Sequence, residues 1–189
     1  MRALKQVLGI DVAQKELVVT LGRMVEDLST ELYAYNVFSN TEKGFIELLN
    51  WVKKITKDDL EVLYVMEATG VYHQKFAYYL DQNNYKVSNV LPNKISNYIK
   101  TLVIKTITDK TCSQAIAQFG LERKLDLWKR PNGVYKTLQQ LTRERDQIVS
   151  ERVVVKNQLH AEKSEAEPND RSLKRIKERI CFLNSQKRN

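Results

Sequence analysis

The sequence predicts an α/β fold, a mixed sheet flanked by helices, followed by a basic, coiled-coil-like antiparallel hairpin of helices. Three observations predict it. Strand-like and helical segments alternate over the first 90 residues, two apolar runs each end in a carboxylate, and the pattern becomes helical and basic after Asn93. A length of 189 residues suits one domain with a core and an appendage. The loop at 128–133 divides the chain into predicted domains 1–130 and 131–189.

Three β-rich segments come first. Residues 6–12 predict a strand, residues 16–21 predict its hairpin partner, and the partly alternating residues 31–38 predict a third, antiparallel strand. Asn40 is then expected to cap a helix that runs to about Lys54. The chain thus begins with three strands and a helix.

Strands and helices alternate in the next part of the chain. Residues 61–67 predict a buried strand, after which Gly70 frees the chain to enter a helix. Residues 85–91 predict a last strand, which Pro92 ends. Three strands followed by helix, strand, helix, strand and helix form the ribonuclease H-like arrangement. Because this order also fits other α/β folds, the prediction depends equally on where the carboxylates lie.

Basic helices follow. Residues 95–103 predict one helix, and a second begins near Asp109 and ends at Gly120. Beyond residue 133 a heptad stripe is interrupted by Arg145 and Arg152. A polar break then precedes a second stripe, which predicts an antiparallel hairpin. We expect the stripes to pair within the chain, with a homo-oligomer through the same helices as the other use of these surfaces. The first stripe comprises Val134, Leu138, Leu141, Ile148, Val155 and Leu159.

The charge is unevenly distributed along the chain. Residues 1–90 carry 10 Lys and Arg against 12 Asp and Glu, whereas residues 91–189 carry 21 against 11, within a formal net charge of +8. This asymmetry is typical of a protein that binds phosphate backbones. A solvated Lys- and Arg-rich helix surface is the alternative.

Cysteine usage and hydropathy exclude other classes of protein. Cys112 and Cys181 lie far apart and form no CxxC pair, so we expect neither a zinc site nor a disulfide framework, and a reducing cytoplasm fits. No apolar run approaches the roughly 20 residues that a membrane span needs. We therefore expect neither membrane insertion nor export.

Two carboxylates end predicted buried strands. Asp11 closes one apolar run and Glu67 closes another, and Asp109 follows in a basic stretch. A carboxylate in such a place costs several kcal/mol of desolvation unless a cation or hydrogen bonds compensate it. The two strand ends therefore suggest a shared metal pocket, for which hard oxygen donors favour Mg²⁺ or Mn²⁺. A hairpin-turn role for Asp11 and a helix-capping role for Glu67 are the alternatives.

Four motifs in succession, over about residues 5 to 160, resemble the DEDD-type insertion-sequence transposases, a family of bridge-RNA-guided recombinases. They are Gly9-Ile10-Asp11-Val12-Ala13-Gln14-Lys15, Met66-Glu67-Ala68-Thr69-Gly70-Val71-Tyr72, Leu91-Pro92-Asn93 and Thr108-Asp109-Lys110. The resemblance implies a RuvC-like N-terminal domain that acts in DNA transposition with a structured guide RNA. It also implies that Asp11 is the central-strand metal ligand, Glu67 the neighbouring-strand ligand and Asp109 the helix ligand.

The chain departs from the family pattern in two places. Cys112 stands where the family has its fourth acid, and a neutral thiol supplies no hard anionic oxygen, so we expect a weakened second metal position. A small packed residue is the alternative role for Cys112. Nothing resembles the family's C-terminal domain with its catalytic serine. We therefore expect the chain, truncated before that domain, to be unable to recombine DNA alone.

Basic side chains surround the predicted site and decorate the hairpin. We expect them to contact the phosphates of DNA and guide RNA. Tyr98 and Trp128 are candidates for base stacking, with packing roles as the alternatives. The expected contacts are Lys94, Lys100, Lys105, Lys110, Lys129, Arg130, Arg143, Arg145, Arg152 and Lys156.

Two other functions remain open. A metal-dependent RuvC-like nuclease or junction resolvase needs only the acidic site, and a non-catalytic dimerisation module that binds nucleic acid needs only the hairpin and its charge. A nucleotide phosphotransferase is disfavoured because the 6 glycines are not clustered into phosphate loops.

Overall fold

The computed structural model describes residues 2–56, 60–68, 70–102 and 106–186. The chain divides into two compact units, Met1–Arg130 (unit 1) and Pro131–Asn189 (unit 2). No helix among the described residues has the length and apolar character that crossing a bilayer requires.

Unit 1 is built on a five-stranded mixed sheet in the order β3-β2-β1-β4-β5. The first three strands are antiparallel neighbours, whereas β4 and β5 run parallel to β1. The order and directions confirm the predicted ribonuclease H-like fold. The strands are β1 (Ala3–Val12), β2 (Glu16–Val25), β3 (Thr30–Ser39), β4 (Val62–Glu67) and β5 (Val87–Val90).

Helices cover both faces of this sheet. Along β1, Leu8 and Ile10 face a core that includes the first two helices, while Val7 faces a second core on the other side. This two-sided burial explains why β1 and β4 are nearly continuous apolar runs. The helices are α1 (Glu42–Thr56), α2 (His73–Gln82), α3 (Pro92–Ile99) and α4 (Asp109–Glu122), of which α1 and α2 contribute to the first core, and α3 and α4 to the second.

Helix α4 lies directly against the centre of the sheet. A Cβ atom at Gly9 would overlap the backbone of Ser113 and Ala117, so only glycine allows this approach. The hydroxyl groups of Thr20 and Ser113 form a buried hydrogen bond of 2.8 Å between β2 and α4. At the other end of the helix, Lys5 Nζ donates to the carbonyl oxygen atoms of its last turn. Helix α4 is therefore fixed on the sheet by close backbone packing at Gly9 and by hydrogen bonds that involve Thr20 and Lys5.

Several predicted element ends are wrong. Asn40 does not cap α1. Instead, Thr41 Oγ1 accepts a hydrogen bond of 3.3 Å from Gly44 N. Pro92 ends β5 but begins α3, which stops at Ile99 rather than reaching residue 103. The predicted stop at Gly120 lies inside α4, where its lack of a side chain admits Val7 and Val65.

Unit 2 is an antiparallel pair of helices, α5 (Gly133–Lys163) and α6 (Asp170–Gln186). Arg152 Nη1 donates to Asn184 Oδ1 at 3.2 Å, and Arg179 Nη1 donates to Gln158 Oε1 at 3.4 Å, which fixes the direction. The predicted hairpin is therefore confirmed, and its helices pair within the chain.

The first half of α5 extends beyond its partner helix. The register of the hairpin places the end of α6, Gln186, opposite about residue 150 of α5. Leu138 and Leu141 are 58% and 57% exposed. The N-terminal part of the predicted apolar stripe is thus uncovered within the part of unit 2 that the structure describes.

Candidate acidic site

Asp11 and Glu67 lie at the same edge of the sheet. The parallel strands β1 and β4 pair up to Ile10 and Met66, so the next residues along the two strands are Asp11 and Glu67. Neighbouring strands are about 4.8 Å apart. Both positions continue the alternation that points Gly9 and Val65 toward α4. The two carboxylates therefore leave the sheet on the face that α4 covers.

The start of α4 brings the third carboxylate to this edge. Asp109 is the first residue of the helix, and a reciprocal capping box fixes that start. Thr108 Oγ1 accepts from Thr111 N at 3.2 Å, and Thr111 Oγ1 accepts from Thr108 N at 2.8 Å. Cys112, three residues after Asp109, lies on the same side of the helix.

The electrostatics show that these four side chains share one neighbourhood. Burial first, then the charges of Asp109 and Glu67, raise the pKa of Asp11 to about 6, although a backbone hydrogen bond at Val12 opposes the rise. The pKa of the Cys112 thiol is also raised, by burial first and then by the three carboxylates. The fold thus places Glu67, Asp109 and Cys112 near Asp11.

The arrangement is looser than a formed metal site. Within residues 2–56, 60–68, 70–102 and 106–186, no three His, Cys, Asp or Glu side chains stand close enough to hold an ion. The donor chemistry does fit a hard divalent cation, because three carboxylates offer anionic oxygen atoms in a half-buried place where their charges repel one another. The donor types therefore suit a hard cation, whereas the described side chains as placed do not form a group that could hold one.

The predicted nucleic-acid contacts of unit 1 are placed as follows. Lys94, Lys100 and Lys129 are exposed, and Lys105 lies outside the described residues. Lys110 is the second residue of α4, and its Nζ lies 4.8 Å from the ring centroid of Tyr35 on β3. Each of the described lysines is accessible to a phosphate.

The aromatic candidates pack rather than project into solvent. Tyr98 is 8% exposed and packs edge-on against Phe119. Trp128 packs on the core of unit 1 and against Tyr78, whose ring also lies 4.7 Å below the guanidinium of Arg130. The packing alternatives to base stacking are correct for Tyr98 and are favoured for Trp128.

The cations of unit 2 differ in exposure and in the groups that they contact. Arg143, Arg145 and Lys156 are exposed, and Arg145 lies 3.7 Å from Asp146. Arg152 is half-buried and bonded to Asn184, which explains how the heptad stripe accommodates an arginine. Arg152 thus has a role within the hairpin that its sequence position did not reveal.

Sequence reasoning missed Asn40 as a residue of this region. Its Nδ2 donates to the carbonyl oxygen atoms of Ala13 and Tyr72, in the segments that follow the strands bearing Asp11 and Glu67. The local pattern before α1 suggested a helix cap instead. No local signal distinguishes an Asn that caps a helix from one that binds distant carbonyl groups.

Two solved structures share the general fold at low similarity. RuvC of Thermus thermophilus, in complex with a Holliday junction substrate, has a TM-score of 0.46 and 10% identity over 65% of this chain and 99% of RuvC. The yeast mitochondrial Holliday junction resolvase Ydc2 has a TM-score of 0.44 and 15% identity over 63% of this chain and 80% of Ydc2. Likenesses this distant add no argument about function.

Sequence comparison identifies nearer relatives. The pilin gene-inverting proteins of Moraxella lacunata and Moraxella bovis are each 34% identical over 119 residues, which is 61% of this chain and 37% of theirs. The match thus spans little more than a third of the length of these relatives. The family model of IS110 DEDD-type transposases, described as a transposase, matches residues 8–162, a range that includes Asp11, Glu67, Asp109 and almost all of α5. This chain therefore belongs to the family of DEDD-type transposases.

Proposed function

We propose that the chain is the N-terminal part of a DNA transposase or recombinase, in which Asp11, Glu67 and Asp109 of unit 1 bind a divalent metal ion. The convergence of these carboxylates carries the proposal: burial first, and then the charges of Asp109 and Glu67, raise the pKa of Asp11 to about 6. A divalent cation between them would relieve their mutual repulsion and the cost of burying Asp11. Family membership supports the same conclusion.

Oxygen donors favour Mg²⁺ or Mn²⁺ as the ion. When bound, such an ion neutralises charge on a phosphate group and activates a nucleophile. The protein's part is positional: β1 holds Asp11 at the centre of the sheet, β4 aligns Glu67 beside it, and α4 brings Asp109 over the edge. Because no metal-holding group is formed among the described residues, ion binding requires the side chains to approach one another.

Cys112 limits this site. Its thiol has a pKa raised by burial and by the surrounding carboxylates, so it remains protonated at neutral pH. A protonated thiol is a poor ligand for Mg²⁺ and leaves the family's fourth acidic position without an anionic oxygen. We therefore expect one ion to bind more strongly than a second.

The partners follow from charge and family. The exposed cations of both units would contact the phosphates of DNA and of a structured guide RNA, the partner that the family resemblance implies. The relatives are described as inverting a pilin gene, so DNA rearrangement is the reaction that we extend to this chain. We expect a homo-oligomer to form through the hairpin.

A metal titration tests the proposal directly. Mn²⁺ binding to the full chain, measured by calorimetry, should be saturable and should be lost in Asp11→Asn. Asp27→Asn is the matched control, because Asp27 is an exposed carboxylate in the turn between β2 and β3. Equal Mn²⁺ affinity for Asp11→Asn and the unaltered chain would refute the metal site.

A salt series tests nucleic-acid binding separately. Affinity for duplex DNA should fall at least tenfold between about 50 and about 200 mM salt, as expected when several phosphates are contacted. An affinity that does not change with salt would exclude the proposed backbone contacts. If Mg²⁺ instead produces cleavage of branched DNA that Asp11→Asn abolishes, the chain is an autonomous nuclease.

A further inference from the structure

Asn40 lies between β3 and α1, and its side chain is buried, with 8% exposed. Its Nδ2 donates to the carbonyl oxygen of Ala13 at 2.9 Å and to that of Tyr72 at 3.3 Å. Its backbone N–H donates to the carbonyl oxygen of Lys15 at 2.9 Å. One buried amide group therefore contacts two segments that are remote in sequence.

These two segments are the continuations of the strands that bear the acids. Ala13 follows Asp11 by two residues, and Tyr72 follows Glu67 by five. The backbone ladder between β1 and β4 pairs residues only up to Ile10 and Met66, so it ends just before the two carboxylates. The hydrogen bonds of Asn40 continue the connection beyond the end of the ladder.

We propose that Asn40 is a positioning residue of the acidic site. Its amide links the carbonyl groups of Ala13 and Tyr72, which keeps the strand ends that bear Asp11 and Glu67 side by side, so that the two side chains can approach the same ion. This inference rests on the proposed metal site and adds a residue that no sequence motif indicates. Asn40 itself does not contact the ion.

The other half of the same amide supports a role beyond stability. Asn40 Oδ1 is buried and has no hydrogen-bond partner among the residues that the structure describes. A buried acceptor without a partner is unfavourable and partly offsets the gain from the two donated bonds. The two donated bonds are thus what Asn40 adds at this place.

The test compares Mn²⁺ affinity with stability in the full chain. Asn40→Leu keeps the approximate size of the side chain and removes both donors without adding charge. Its Mn²⁺ affinity should fall roughly tenfold or more, the usual effect of losing a residue that orients a metal ligand. The melting temperature should fall as well, because the carbonyl oxygen atoms of Ala13 and Tyr72 lose their donor, so the change in affinity is judged against a variant with a comparable loss of stability.

Two controls separate positioning from general destabilisation. Asn83→Leu removes an amide that donates to the carbonyl oxygen of Tyr79 within one helix end, so Mn²⁺ affinity should not change. Val52→Ala removes buried volume from α1 and should lower the melting temperature with little effect on Mn²⁺ affinity.

The outcomes are distinguishable. Mn²⁺ affinity of Asn40→Leu equal to that of the unaltered chain overturns the inference. The inference is also overturned if Asn40→Leu loses no more Mn²⁺ affinity than Val52→Ala does for the same fall in melting temperature. If Mn²⁺ binding to the unaltered chain does not depend on Asp11, the proposed function fails first and removes this inference with it.

Discussion

The two units of the chain use burial in opposite ways. Unit 1 packs helices on both faces of a sheet, and two of the candidate acids, Asp11 and Glu67, lie at the ends of strands whose central side chains are mostly buried. In unit 2, Val155 and Leu183 are the buried apolar side chains among the described residues, while Val134, Leu138 and Leu141 remain exposed. Unit 1 contains its own core, whereas unit 2 presents apolar surface that a partner can cover.

The difference matches what the two proposed functions require. A metal site needs carboxylates held within fractions of an ångström, which calls for backbone-level packing such as the seat of α4 on Gly9. Binding to phosphate backbones needs only accessible cations, since salt-dependent contacts tolerate imprecise geometry. The following predictions test this contrast, from the largest expected effect to the smallest.

The largest effect should come from adding one methyl group under α4. Gly9→Ala places a Cβ atom against the backbone of Ser113 and Ala117, so unit 1 should lose at least about 3 kcal/mol of stability. Trp51 and Trp128 both belong to unit 1, and their fluorescence in urea reports its unfolding. Helical circular dichroism from unit 2 should persist.

Gly133→Ala provides the matched control for that substitution. A Cβ atom at Gly133 meets nothing within 4 Å, so the same chemical change should leave the urea midpoint unaltered. If Gly9→Ala unfolds at the urea concentration of the unaltered chain, α4 is not held by the contact described above.

The exposed half of α5 should carry self-association. Burying Leu141 in a dimer stabilises it by about 2 kcal/mol for each chain. Leu141→Asp should therefore raise the dissociation constant roughly thirtyfold for each copy that carries it. Gln140→Asp adds the same charge at a neighbouring polar position and serves as the control. Sedimentation of the full chain over a range of concentrations measures both. An unaltered chain that stays monomeric would show that unit 2 needs no second copy.

The sheet could be predicted from sequence because its signals are local. Alternation and apolar runs mark the strands, and parallel neighbours end at one edge, which places Asp11 beside Glu67. Element ends were less accessible to this reasoning. The side chain of Asn40 donates to the carbonyl groups of Ala13 and Tyr72 instead of capping the helix that follows, because tertiary packing brings these groups close to it.

The site could be predicted only in part for the same reason. Motif resemblance named Asp109, but its closeness to Asp11 depends on α4 lying across β1, which requires Gly9 and the Thr20–Ser113 hydrogen bond. These contacts join residues that are roughly 100 positions apart in the chain, and no short pattern encodes them. The spacing of the carboxylates likewise depends on that packing.

Restoring the fourth acid should sharpen the metal site. Cys112→Asp adds an anionic oxygen donor beside Asp11, Glu67 and Asp109, so Mn²⁺ affinity should rise about tenfold, or about 1.4 kcal/mol. Cys181→Asp, on the exposed surface of α6, makes the same change far along the chain and should have no effect. Calorimetric titration compares the three proteins. Unchanged affinity in Cys112→Asp would place Cys112 outside the metal-binding positions.

The smallest effect should appear in stability without metal. The pKa of Asp11 is raised in the folded chain, so its protonated form favours folding, and this contribution is lost as pH rises from about 4 through about 6. Asp11→Asn should therefore stabilise unit 1 at pH above about 6 by about 1 kcal/mol, after allowing for solvent screening of a half-exposed group. The two proteins should unfold alike at pH of about 4.

The control Asp27→Asn should instead lower the stability of the chain at neutral pH, because hydrogen bonds from Ser29 lower the pKa of Asp27. Thermal unfolding in chelator at both pH values makes the comparison, and a destabilised Asp11→Asn at neutral pH would mean that burial and the neighbouring carboxylates do not raise the pKa of Asp11 in the folded chain.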